Sequence, residues 1–214
     1  MNVSMWMTRD VVTIAPETPI AAAACRSANR RIRRLLVTTG GTQDGRLLGI
    51  VTREDLMHAF PDDLNPRSPL AVELGPKEPV TTIMARDLKV VHPDVPIEDA
   101  AEVMCANKIG ALPVVRSGVL VGIITESDIF RAFREVLSAG ASGVRVTFDL
   151  NAGENALPLM LELGARHDLA VAAVLTLNHG KQRLGVVRLV GGDADAFVDE
   201  VWRSGHLVLS VARM

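Results

Sequence analysis

Two nonapeptides constrain the fold of this chain more than any other feature. GIVTREDLM, Gly49 to Met57, and GIITESDIF, Gly122 to Phe130, share Gly-Ile, an apolar residue, Thr, two polar residues, Asp and a further apolar residue. The likeness extends backwards. MTRDVVTIAPETPIAAAA, Met7 to Ala24, lies over MARDLKVVHPDVPIEDAA, Met84 to Ala101, without a gap, and RRIRRLLV (Arg30 to Val37) lies over NKIGALPV (Asn107 to Val114). A period of about 75 residues is too long for a solenoid unit and suits a duplicated subdomain.

Each copy reads as the same series of elements. A short β segment (VVTI; LKVV) precedes a Pro-containing turn and an Ala-rich helix, Ile20 to Asn29 in one copy and Ile97 to Asn107 in the other. Two apolar strands joined by a Gly turn follow (LLVTT to RLLGIV; LPVV to VLVGII). A helix opened by Thr-x-x-Asp closes the copy. PDDLNPRSPLAVELGPKEP carries five prolines between the copies and reads as a connecting loop.

After SAGASG the pattern changes. VRVTFDL predicts a strand, Ala156 to His167 a helix, VAAVLTL and RLGVVRLV a hairpin, Asp193 to Trp202 a helix and HLVLSVAR a last strand. This β-α-β-β-α-β order is ferredoxin-like. The fold class is therefore α/β (α+β): a tandem pair with pseudo-twofold symmetry and a C-terminal ferredoxin-like unit. The boundaries are residues 1–61 and 80–137 for the repeats, 62–79 for the connecting loop, 138–143 for a linker and 144–214 for the last unit.

Thr-x-x-Asp has two readings. Thr at the N-cap with Asp at N3 is close to a capping box, and the carboxylate suits the positive end of the helix. The same helix end also suits a phosphate, and a nearby carboxylate accepts hydrogen bonds from ribose hydroxyls, so together they favour a nucleotide. The arginine run RSANRRIRR, Arg26 to Arg34, is equally open. It fits a solvated helix end, the phosphate of a nucleotide, or nucleic acid. No aromatic residue interleaves it, and the net charge of −2 supplies no global attraction to polyanions.

Other classes find little support. The five histidines are scattered without metal-ligand spacing, and no Gly-x-Ser-x-Gly, HExxH or P-loop occurs. The chain thus reads as a non-enzyme with no catalytic residue, catalytic cofactor or metal. Cys25 and Cys105 read as two small buried thiols in a reducing cytoplasm. No basic, apolar leader precedes the first repeat and no apolar run reaches about 18 residues, so a cytoplasmic, membrane-free protein is expected.

The repeat, the element order and the closing motifs GIVTREDL and GIITESDI resemble the CBS-domain pair, or Bateman module, over about Val3 to Leu137. The last unit resembles an ACT domain by its element order, and the CBS–CBS–ACT arrangement is similar to bacterial acetoin-utilisation regulatory proteins. SGHLV, Ser204 to Val208, matches the Gly usual in that family before its final strand.

The resemblance implies a regulatory sensor that binds AMP, ADP or ATP in clefts built from both repeats. One cleft is expected to combine Thr52 and Asp55 with Arg33 and Arg34, with Gly110 and Ala111 of the other repeat, and with Met84 and Lys89 beside the base. The second is expected to hold Thr125, Asp128, Met7 and Val12. The first is the preferred cleft, because the bulky Arg33 and Arg34 stand where the second needs small residues.

An amino-acid effector at the ACT-like unit would use Asp149, Asn151, Gly153 and Asn155. An ordinary Asx- and Gly-rich turn fits the same residues. A homodimer associating through helices such as Asp128 to Leu137, and a downstream protein partner, complete what the resemblance implies. A nucleic-acid or transcription accessory protein led by Arg26 to Arg34, and a structural adaptor with empty clefts, are the alternatives.

Overall fold

The computed structural model of the chain describes residues 1–60, 64–68, 70–137, 142–151, 156–205 and 208–213. It divides into two compact units, Met1–Phe130 and Arg131–Met214. Gly153 and Asn155, most of the expected linker, and His206 and Leu207 of the SGHLV stretch lie outside the described residues.

The first unit is built twice. In order it contains α1 (Val3–Trp6), β1 (Thr13–Ile14), α2 (Ile20–Arg30), β2 (Arg34–Thr38), β3 (Leu47–Thr52), α3 (Arg53–His58), α4 (Ala71–Leu74), α5 (Ile97–Asn107), β4 (Ala111–Arg116), β5 (Val119–Thr125) and the first residues of α6 (Glu126–Leu137), which runs past the boundary at Phe130. Thr13 and Ile14 pair in parallel with Leu36 and Val37 of β2, and β2 pairs antiparallel with β3. In the second repeat Val91 bridges Val114 in parallel, and β4 pairs antiparallel with β5.

The second parallel ladder is shorter for a local reason. Pro113 stands where the first repeat has Leu36, and a proline has no N–H to extend the pairing. Only the Val91 bridge forms there, through Val91 N–H to the Pro113 carbonyl (3.1 Å) and Val115 N–H to the Val91 carbonyl (2.9 Å).

Both long helices of the repeats stop in the same way. Arg31 and Lys108 take left-handed backbone (φ 56° and 53°), and Ile32 and Ile109 donate back to Ser27 (2.9 Å) and Met104 (3.0 Å). This is the Schellman arrangement with a basic residue in place of glycine, and the helix dipole favours a cation there.

The two repeats complete each other through their leading segments. Thr8 of the first repeat bridges Ile123 in β5, and Ala85 of the second bridges Ile50 in β3. The methionine before each bridge packs over a glycine of the opposite strand. A Cβ on Gly49 would lie 2.6 Å from Met84 Sδ, and one on Gly122 would lie 2.9 Å from Met7 Sδ. The shared Gly of GIVT and GIIT is the seat for these side chains. Around Met84 the core gathers Ile14, Leu35, Val37, Val51 and Leu56 with the small Ala21, Ala23 and Ala24 of α2; Cys25 packs only part-buried against it and Cys105 is exposed, so neither thiol is buried as expected.

The second unit runs β6 (Gly143–Asp149), α7 (Ala156–Arg166), β7 (Leu169–His179), β8 (Gln182–Gly191), α8 (Ala194–Arg203) and β9 (Val208–Arg213). The strands form one antiparallel sheet in the order β7-β8-β6-β9. Gly180 (φ 62°) closes the β7–β8 hairpin, and Asp193 caps α8 by accepting from the Ala196 N–H at 3.0 Å. Val144, Val146 and Phe148 of β6 meet Val187 and Leu189 of β8 under Met160, Leu163, Phe197 and Val201 of the helices. Among the described residues no helix is long and apolar enough to cross a membrane.

Candidate functional site

The two Thr-x-x-Asp motifs fold into the same local device. In each, one Asp oxygen accepts from the backbone and the hydroxyl of the Thr. For Asp55 Oδ2 the distances are 2.8 Å from Thr52 N and 2.7 Å from Thr52 Oγ1. For Asp128 Oδ2 they are 2.9 Å from Thr125 N and 2.8 Å from Thr125 Oγ1. Each Thr hydroxyl in turn accepts from the Asp N–H, at 3.2 and 3.4 Å. The capping role read from sequence is thus present in both repeats. Asp128 is buried and Asp55 is half-buried.

The first N–H of each closing helix reaches to the segment before the paired strand. Arg53 N–H donates to the Arg33 carbonyl (2.8 Å), and Glu126 N–H to the Gly110 carbonyl (3.3 Å). Both motifs are therefore tied to the residues expected to face a ligand.

Two concavities follow. A cleft of about 380 Å³ has walls from four segments: Thr8 to Val12 excluding Arg9, Arg31 to Arg34, Gly110, and Ile123 to Ser127 excluding Ile124. A shallower groove beside Thr52 is lined by only two, Arg33–Arg34 and Thr52–Met57 excluding Asp55 and Leu56. Arg33 and Arg34 border both.

This distribution departs from the expected cleft around Thr52. Gly110 falls with Thr125, and Ala111 is buried in the strand pair. Met84 and Met7, each 8% exposed, are core plugs over Gly49 and Gly122 and wall neither concavity. Lys89 is exposed and borders neither. Val12 does line the Thr125 cleft. Sequence reasoning overlooked Thr8, Asp10, Arg31 and Glu126. The first two sit in the repeated Met-x-Arg-Asp, and Glu126 is the first variable residue of its Thr-x-x-Asp.

Arg34 is the electrostatic centre. It leaves β2 opposite Thr52, and its guanidinium reaches across to Gly110 of the second repeat. A Cβ on Gly110 would lie 2.7 Å from Arg34 Nη2 and 2.9 Å from Glu126 Oε2, so the two charged tips flank one carbon-sized space. Burial lowers the Arg34 pKa from its ordinary value, Glu126 opposes that shift and Arg33 adds to it. Among the described residues the Arg34 guanidinium has no hydrogen-bonded acceptor.

The rest of the arginine run diverges. Arg26 donates to the Thr13 carbonyl at 3.1 Å, and Arg31 holds the left-handed helix end. Three of its five arginines, Arg31, Arg33 and Arg34, nevertheless line the Thr125 cleft together. In the second unit Asp149 forms an Asx turn, accepting from the Asn151 N–H at 2.8 Å, and the Asn151 amide donates to the Lys181 carbonyl at 3.2 Å.

A duplicated unit whose leading segments each bridge the opposite repeat, with a cleft lined from both repeats, defines a tandem-domain architecture. The family model of the CBS domain matches residues 3–62 and again 80–135, and the chain belongs to the CBS-domain family. It is 39% identical over 122 residues to the inosine-5'-monophosphate dehydrogenase of Thermoplasma acidophilum. That match covers 56% of this chain and 21% of the enzyme. The chain thus spans about a fifth of the curated dehydrogenases it matches.

Among solved structures, a Vibrio cholerae protein assigned to acetoin utilization (AcuB) superposes with a TM-score of 0.51 at 31% identity. The match covers 64% of this chain and 93% of that one. CBSX2, solved in complex with AMP, superposes with a TM-score of 0.52 at 26% identity, covering 64% and 98%.

Proposed function

We propose that this chain is a regulatory sensor whose CBS pair binds an adenine nucleotide. Arg34 carries the reading: a part-buried guanidinium without a hydrogen-bonded acceptor among the described residues, in a cleft that also holds a capped helix start, has the chemistry to receive a phosphate. Arg33 and Arg34 take the phosphate, Thr125 meets the ribose with the buried Asp128 behind it holding the Thr125 hydroxyl, and Val12 and Ile123 pack against the base. The AMP bound by CBSX2 supports this ligand class. The Thr52–Asp55 groove is the weaker second site, because it has two walls against four.

The second unit, by its β-α-β-β-α-β order and strand arrangement, serves as an ACT-type partner domain, with Asp149 and Asn151 at its effector loop. The chain performs no chemistry of its own. Phe130 and Phe133, 72% and 45% exposed on α6, support association of two copies.

Thermal unfolding with AMP, ADP, ATP or adenosine tests the reading. A ligand at 100 times its dissociation constant adds about 2.7 kcal/mol. Stabilisation by a nucleotide that Arg34→Gln abolishes is expected. No shift with any nucleotide would leave the motifs as helix caps alone.

A further inference from the structure

The charges lining the Thr125 cleft are mixed. Arg31, Arg33 and Arg34 are balanced by Asp10 and Glu126, leaving one positive charge in excess among five charged side chains. Glu126 occupies a particular place. It is the residue after Thr125, and its carboxylate tip approaches the same carbon-sized space over Gly110 as the Arg34 guanidinium. Any anion that reaches Arg34 from the cleft therefore also meets Glu126.

We propose that Glu126 sets the charge of the ligand at this cleft, restricting it to a nucleoside monophosphate over the di- and triphosphates. The inference rests on the nucleotide reading above. One phosphate group carries about two negative charges at neutral pH and is met by Arg33 and Arg34. Each further phosphate adds a negative charge close to Glu126, with only the exposed Arg31 left to offset it. Repulsion between like charges at such separations, in a partly solvated cleft, is worth several-fold in affinity per charge. Asp10, from another segment lining the cleft, acts in the same sense. The selector is written into this chain at one variable position of the repeated motif: the first repeat has Arg53 at the place of Glu126.

The experiment measures dissociation constants of adenosine, AMP, ADP and ATP by calorimetry on wild type, Glu126→Gln and Asp10→Asn. Wild type is expected to bind AMP most tightly and ATP least. In Glu126→Gln the ATP affinity should rise roughly five- to tenfold relative to AMP, with adenosine unchanged. Asp10→Asn should move the ratio in the same direction by less, which keeps the test open if Glu126→Gln folds poorly. Nucleotide binding in which ATP exceeds AMP in wild type, or a ratio unmoved in both variants, overturns the selector and leaves the nucleotide sensor standing. Absence of binding by any of the three nucleotides removes the sensor reading, and the selector with it.

Discussion

Thr8, at the head of the first repeat, exchanges two backbone hydrogen bonds of 2.9 Å with Ile123 in the closing strand of the second. Ala85 and Ile50 make the reciprocal exchange at 2.9 and 3.0 Å. Each repeat thus finishes the other's sheet, and each sends a methionine over the other's glycine. The repeats are one cooperative body because neither has a complete sheet edge or core alone.

This exchange predicts an asymmetry between two substitutions at one residue. Thr8→Pro removes the donor to Ile123 and should destabilise the pair by about 2 kcal/mol. Thr8→Ala keeps the backbone donor, and its side chain is exposed, so stability should stay within about 0.5 kcal/mol of wild type. Urea unfolding followed by circular dichroism distinguishes the two.

The capping carboxylates should separate in cost. Asp55→Ala removes a half-buried cap and should lose about 1 kcal/mol. Asp128→Ala removes a buried carboxylate and leaves Thr125 donors behind, so about 2 kcal/mol is expected. With AMP present, the thermal shift should survive in Asp55→Ala and disappear in Asp128→Ala. The reverse pattern would move the ligand to the Thr52 groove.

Two glycines invite opposite outcomes from the same added methyl group. At Gly185 a Cβ would lie 2.5 Å from Phe148 Cε2, a buried ring with nowhere to go, and Gly185→Ala should cost about 1–3 kcal/mol. At Gly110 the obstructing atoms are the flexible tips of Arg34 and Glu126. Gly110→Ala should therefore cost under about 1 kcal/mol while weakening nucleotide binding several-fold, because the guanidinium is pushed aside. Melting temperatures and AMP titration read the two effects separately.

The second unit carries a pH-dependent clasp. Glu200 receives His167 Nε2 at 2.7 Å and Arg166 at 3.0 Å, joining the end of α7 to α8. The hydrogen bond from His167 leads in holding the Glu200 carboxyl below its ordinary range, with Arg166 contributing. A carboxyl depressed in the folded state stabilises above its unfolded pKa and loses that contribution as pH falls through the folded value. Wild type should exceed Glu200→Gln in melting temperature at neutral pH, and the difference should shrink from about pH 5 downward. A pH-independent difference would mean that the clasp acts only through packing.

Much of this architecture is legible in the chain before folding. The duplication could be read from Met-x-Arg-Asp, Pro-Ile and Gly-Ile-x-Thr, because local devices repeat with their residues. The cap needs Thr and Asp three apart, and the turn needs its proline. Asp193 before α8 and Gly180 in the hairpin are equally local signals.

Sequence also identified the arginines at Arg33 and Arg34 and the small residue at Gly110 as cleft-facing positions. It grouped them with Thr52 and Asp55, whereas Gly110 lies with Thr125 and the two arginines border both concavities. Arg34 lies opposite Thr52 in its own sheet, yet its long side chain crosses to Gly110 and Glu126, and that direction is set by packing between the repeats. Met7 and Met84 misled for the same reason. The resemblance puts them in the clefts, but the swapped leading segments carry them into the glycine seats of the opposite repeat. Periodicity and short motifs report what a residue does to its neighbours along the chain. The charge meeting over Gly110 depends on side chains from two repeats converging on one point, and only the tertiary structure decides that.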